Sequence, residues 1–188
     1  MKGRVDPTLY PAGGSHPSRQ PYEVNMEQPV WVDRPTANLS KRRRKISLIV
    51  LHHTGGTMPG DLAWLTSKAS HVSADFLVCK DETIYKLNPQ LRELQTWHAG
   101  VSEWRGRKNC NGYSVGIEQE HRPGDVWTDA QVEACAKLCG WLVQRFDLDL
   151  DAFCIQSHAA VAVPHGRKTD PENFPWTRFG ELVRGFLG

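Results

Sequence analysis

The run Ile46-Ser47-Leu48-Ile49-Val50-Leu51 is apolar and rich in β-branched residues, and it stops abruptly at His52-His53-Thr54-Gly55-Gly56. So short and continuous a segment suits a strand buried on both faces, which needs strand neighbours and covering helices. The remaining sequence can supply both. Phe76-Leu77-Val78 and residues 83–87 flank Lys80-Asp81-Glu82 and read as a hairpin. Residues 114–119 and 153–157 read as further short strands, residues 61–69 as a short helix, and residues 88–112 as a long irregular stretch. Residues 128–146 form the clearest helix. Thr128 with Gln131 fits a capping box, and Val132, Cys135, Leu138, Cys139, Leu142 and Phe146 recur at three- and four-residue steps as one buried stripe. Residues 176–187 close the chain as an amphipathic helix. The expected fold is α/β: a mixed central β-sheet covered by helices, in a single domain with an N-terminal extension.

That extension differs from the body. Residues 1–45 carry nine Lys/Arg against four Asp/Glu and hold six of the 12 prolines. The other 143 residues carry 14 against 17, so the small overall charge of +2 hides a split of +5 and −3. The expected division is a Pro-rich basic arm over residues 1–45 and a body over 46–188. The arm either lies on the body through Tyr10, Tyr22, Trp31 and Val32 or uses the basic run Lys41-Arg42-Arg43-Arg44-Lys45 to attract an anionic polymer. No apolar run approaches the ~20 residues of a membrane helix, so no integral membrane segment is expected. No cleavable signal is visible either, which suggests a cytoplasmic protein. Five cysteines without regular spacing read as buried thiols, not as a disulfide framework, and Cys135 and Cys139 as core residues, not a metal pair.

Three strands end in a residue able to do chemistry: Leu51 leads to His52, Ile117 to Glu118, and Ser157 to His158. Groups at strand ends, held by a rigid sheet, are where catalytic side chains concentrate. Two histidines, a later carboxylate and a free glutamate nearby would make a zinc hydrolase site, with three protein ligands and a fourth position for water. Asp170, just before Pro171, sits in a helix-averse stretch, and Lys168 two residues earlier can point the same way.

These residues carry a resemblance. Trp97-His98-Ala99-Gly100, then Trp104-Arg105-Gly106-Arg107, Asn109-Cys110-Asn111 and Ser114-Val115-Gly116-Ile117-Glu118, with Val50-Leu51-His52 before and Arg167-Lys168-Thr169-Asp170-Pro171 after, resemble the zinc-dependent N-acetylmuramoyl-L-alanine amidases over about 130 residues. That family includes phage lysozymes, an anhydromuropeptide amidase of cell-wall recycling and the peptidoglycan recognition proteins. The resemblance implies that His52, His158 and Asp170 hold Zn2+, that Glu118 and Lys168 are catalytic, and that His98, Trp97, Trp104, Arg107 and Asn111 contact substrate. His158 and Asp170 stand two residues further apart than in the recycling enzyme, which makes His165 a rival ligand, and His53 falls on a variable position.

The implied function is that of a monomeric peptidoglycan hydrolase, which cleaves the amide between N-acetylmuramic acid and L-alanine with a zinc-activated water. A phage endolysin that acts on the cell wall is the favoured role, since a basic arm suits an anionic envelope. The alternatives are the cytoplasmic anhydromuropeptide amidase, a non-catalytic peptidoglycan-binding module, and a regulatory partner.

Overall fold

The structure, a computed structural model, describes residues 26–150 and 153–188. Six strands make the central sheet: β1 (Val32–Asp33), β3 (Leu48–Leu51), β4 (Phe76–Val78), β5 (Ile84–Lys86), β9 (Ser114–Gln119) and β10 (Ile155–Ser157), in the order β1-β5-β4-β9-β3-β10. The β4–β5 hairpin is antiparallel; the other pairs are parallel. The sheet is therefore mixed, as expected. Two small antiparallel pairs flank it, β2 (Leu39–Lys41) with β6 (Leu94–Thr96) and β7 (Glu103–Trp104) with β8 (Arg107–Lys108). Residues 88–112, read from sequence as irregular, thus hold three short strands, too brief for a periodic signal.

Both faces of β3 are covered. Ile49 and Leu51 join Phe76, Val115 and Ile117 in the main core, under α2 (Asp129–Phe146) and α4 (Trp176–Leu187). Leu48 and Val50 pack on the other side with Ala99, Tyr113 and Val161. Each residue of β3 is fully buried, which its continuous apolar run requires. The six stripe residues of α2 are all buried, and all five cysteines are buried thiols outside any disulfide. The capping box is half made. Thr128 Oγ1 accepts from the Gln131 N–H at 3.1 Å, but the Gln131 side chain turns inward and donates to the Val78 and Glu120 carbonyls. Bonding these two carbonyls takes precedence over closing the box. Two short helices complete the frame, α1 (Gly60–Thr66) and α3 (His158–Val161).

The segment before residue 46 is built into this frame as far as it is described; Tyr10 and Tyr22 lie outside the described residues. β1 extends the sheet, and β2 pairs with β6. Trp31 packs edge-on against Phe76 at 5.7 Å and Trp141 at 5.5 Å, whereas Val32 is exposed. The basic run is divided. Lys41, Arg43, Arg44 and Lys45 face solvent, but Arg42 is buried. Its Nε donates to the carbonyls of Leu91 at 2.8 Å and Leu94 at 3.1 Å, and its guanidinium stands 3.9 Å from the buried Asp75 carboxylate.

Removing one partner of a buried ion pair leaves the other charge uncompensated. Arg42→Met is therefore expected to cost about 3 kcal/mol of unfolding free energy in urea titrations, whereas Lys45→Gln costs less than about 0.5 kcal/mol. Equal effects of the two substitutions would show that the run acts as one solvated patch.

Candidate active site

β3, β9 and β10 are mutually parallel neighbours, so the residues at their C-terminal ends open on the same edge of the sheet. His52 follows β3, Glu118 lies near the end of β9, and His158 follows β10 as the first residue of α3. The Ser157 side chain caps α3 by accepting from Ala160 N, and the Ala159 N–H donates to the Asp170 carbonyl at 3.0 Å, which fastens the 163–170 loop beside His158. His52, His158 and Asp170 are all buried. His52 Nδ1 lies 2.9 Å from His158 Nδ1 and 3.4 Å from Asp170 Oδ2, and His158 Nδ1 lies 3.1 Å from that same oxygen.

The hydrogen bonds behind these rings fix their tautomers. The Ser114 hydroxyl donates to the Cys110 carbonyl at 2.7 Å, so at 3.0 Å it must accept from His98 Nε2–H. The neutral His98 ring then has a bare Nδ1, which accepts from His52 Nε2–H at 2.9 Å. Burial holds His52 at about 4, well below the usual histidine range, so its ring is neutral and its Nδ1 is bare. His158 Nε2 lies 3.3 Å from the Ala99 carbonyl, which turns Nδ1 towards His52 and Asp170. Two imidazole nitrogens and a carboxylate oxygen thus converge on one point, as the donor set of a bound cation does. Ligands of a tetrahedral zinc at about 2.0–2.1 Å stand about 3.3–3.4 Å apart, close to the spacing of this set. His–His–carboxylate also suits zinc chemically, and the ring N–H groups anchored behind the ligands are what metal-binding histidines require.

His158 and Asp170 line a cleft of about 570 Å³. Glu118, Lys168, Trp97 and His98 line it too. Burial pushes the Glu118 carboxyl up to about 8, with Asp170 adding to the rise and Lys168 opposing it. Glu118 Oε2 has no hydrogen-bond partner. A cation held by the three ligands acts in the same sense as Lys168, towards an ionised Glu118 able to accept a proton.

Three residues expected to contact substrate lie elsewhere. Asn111 works from behind, its Oδ1 accepting from the backbone N–H groups of His98 and Ala99. Arg107 stacks on the Tyr113 ring at 4.0 Å and bonds Ser47, and Trp104 packs on the cluster of Tyr113 and Val161. His98, also expected to contact substrate, lines the cleft but is buried and backs His52. The rival ligand His165 is exposed and outside the ligand cluster, while His53 lines the cleft with its ring tilted against His121.

Gly116 is a positioning residue that the sequence signalled only as a glycine inside a strand. A Cβ there would run into the His98 ring. Glycine in a strand often marks such a close approach.

A family profile described as N-acetylmuramoyl-L-alanine amidase matches residues 42–173. The 1,6-anhydro-N-acetylmuramyl-L-alanine amidase AmpD of Enterobacter cloacae is 35% identical over 131 residues, 68% of this chain and 67% of that protein. Among solved structures, an AmpD selenomethionine derivative superimposes with a TM-score of 0.71 at 29% identity, covering 87% of this chain and 98% of that one. The Escherichia coli amidase AmiD, in complex with anhydro-N-acetylmuramic acid-L-Ala-D-γ-Glu-L-Lys, gives 0.64 at 30% identity, covering 74% of this chain and 58% of that one. The chain belongs to the N-acetylmuramoyl-L-alanine amidase family.

Because Gly116 leaves room for the ring that anchors His52, Gly116→Ala is expected to weaken divalent-metal binding by about 10–100-fold, measured by competition with a chromogenic chelator. Unchanged affinity would show that His98 can shift without loosening His52.

Proposed function

We propose that this family member hydrolyses the amide between N-acetylmuramic acid and L-alanine, with Zn2+ held by His52, His158 and Asp170. The observation that supports this reading best is the convergence of three ligand atoms beside Glu118 and Lys168 at one cleft. Zinc, when bound there, supplies Lewis acidity, which polarises a carbonyl and eases deprotonation of water. Glu118 takes the proton of the attacking water on its unpartnered Oε2 and passes it to the departing L-alanine nitrogen. Lys168 sets its ammonium towards the charge that develops on the carbonyl oxygen. An amide needs both forms of help, since its carbonyl is a poor electrophile and its amine a poor leaving group. Trp97 lines the substrate side of the cleft, braced by its indole N–H on Ser40 Oγ at 3.1 Å.

No helix of the described residues is long and apolar enough to cross a membrane. For a monomer made in the cytoplasm, soluble muropeptides are the substrate at hand; an endolysin reaches sacculi after release. Clearing of purified sacculi supports the endolysin role, and cleavage of soluble muropeptides alone supports the recycling role. Lys41, Arg43, Arg44 and Lys45 remain exposed and suit attraction to an anionic envelope polymer. Replacing Lys41, Arg43 and Lys45 by Gln should weaken sacculus binding at low salt, and the deficit should fade as salt shortens the screening length below about 8 Å. A deficit independent of salt would count against the electrostatic role.

The central test is Glu118→Ala with a soluble muramoyl-L-alanyl peptide. Turnover is expected to fall by about 10²–10⁴ with bound zinc unchanged by elemental analysis. Retention of more than about a tenth of wild-type turnover would remove Glu118 from the proton path. Loss of zinc together with activity would make it a ligand instead.

A further inference from the structure

Helix α1 presents two residues to the cleft that the hydrolytic reading leaves unused. Trp64 lines the cleft yet is 59% exposed, the most exposed aromatic side chain among the described residues. Asp61, three positions earlier and so on the same helical face, also lines the cleft but is only 8% exposed. Its carboxylate shares a hydrogen bond with Thr54, while its Oδ2 has no partner. A buried acceptor left unsatisfied is costly, and a helix start needs no buried carboxylate, since solvent satisfies an exposed one as well. Gly56 makes room for this carboxylate, because a Cβ there would collide with Asp61 Oδ1.

We propose that Trp64 and Asp61 form a saccharide subsite in the cleft, the indole taking the apolar face of a pyranose ring and the carboxylate accepting from a hydroxyl or N-acetyl N–H of the same sugar. A pyranose carries axial C–H groups on its faces and donors around its edge. A flat, electron-rich ring beside a lone acceptor matches that pattern. Charge favours the glycan over the peptide as the occupant. A stem peptide with a glutamyl carboxylate, such as the one bound to AmiD, is repelled by Asp61 and drawn to Arg167 and Lys168, which the loop before Asp170 supplies to the cleft. The neutral, hydroxyl-rich glycan is left for α1. The subsite deepens the amidase reading and rests on it: the cleft holds sugar rings beyond the scissile bond, as a polymeric substrate requires.

The test is titration calorimetry of the full chain with a peptide-free tetrasaccharide of β-1,4-linked N-acetylhexosamine. The wild type is expected to bind, and Trp64→Ala to weaken binding about tenfold, or about 1.4 kcal/mol. Trp64→Tyr, which keeps a flat ring, should stay within about threefold of the wild type, and Asp61→Asn should weaken binding about threefold. Trp64 is exposed, so its variants fold even if the buried Asp61→Asn does not. Absence of binding by the wild type, or equal binding by Trp64→Ala, overturns the subsite. Cleavage of a soluble muramoyl-L-alanyl peptide is measured on the same wild-type sample. Cleavage without sugar binding removes the subsite alone, and sugar binding without cleavage removes the amidase reading alone.

Discussion

The buried carboxylate of Asp75 ties together parts of the chain that have no other reason to meet. It accepts from the Gly116 N–H at 2.7 Å, Asn88 Nδ2 at 2.6 Å and Thr96 Oγ1 at 2.8 Å, and it faces Arg42 at 3.9 Å. Its own backbone pairs with Gly116 and with the Leu87 and Asn88 N–H groups. One side chain therefore joins the entry to β4, the middle of β9, the end of β6 and the segment that precedes β3. Burial pushes its pKa up, and Arg42 and the three donors oppose that rise. A buried ion costs several kcal/mol unless every lone pair is met. Here three donors from separate parts of the chain, with the Arg42 charge nearby, supply that compensation, so the fold has to be complete before the charge is tolerable.

The same node reaches the chemistry through Gly116. On its backbone side this residue is bound to Asp75, and on its empty Cβ side lies the His98 ring. His98 in turn fixes the proton on His52 Nε2 and leaves Nδ1 free towards the ligand cluster. The path from Asp75 to Gly116, His98 and His52 makes ligand orientation a consequence of core completion. Rigid support of this kind is what a site needs when its ligands must be held to fractions of an ångström before any ion arrives.

How much of this the sequence disclosed follows from which signals are local. Strand ends at His52, Glu118 and His158 were legible because a buried parallel strand leaves a continuous apolar run with a sharp polar stop. Their gathering on one edge follows from parallel pairing. The roles of Asp170 and Lys168 came from resemblance, and both residues line the cleft. Arg42 was not legible, since five consecutive cations read as a solvated patch, and burial of the second depends on carbonyls and a carboxylate 33 to 69 residues away. Trp104, Arg107 and Asn111, expected to contact substrate, do not line the cleft, for a related reason. They sit in the same motif as the cleft residues, but the turn through β7 and β8 points them at Tyr113, Ser47 and the backbone of residues 98–99. A motif records which residues act together, not which of them face the ligand.

Within the cleft, charge is arranged by element. The turn after α3 brings Arg167, Lys168 and Asp170, and β9 brings Glu118 into a setting so desolvated that its carboxyl is driven up to about 8. Arg167 is already committed, its guanidinium donating to the carbonyls of Ala99, Val101 and Val163. The Ala99 carbonyl it binds is the one that receives His158 Nε2–H. Lys168 is thus left as the cation of this turn whose side chain enters no ion pair or hydrogen bond in the described structure, beside a glutamate that can serve as a base only once positive charge is near. Two imidazole nitrogens and the Asp170 carboxylate crowd one point beside a Glu118 that burial keeps from ionising. A divalent cation between His52, His158 and Asp170 removes the repulsion among the ligands and lowers the cost of ionising Glu118. Ligand geometry and proton chemistry therefore depend on the same charge, which is why neither half of the site makes physical sense alone.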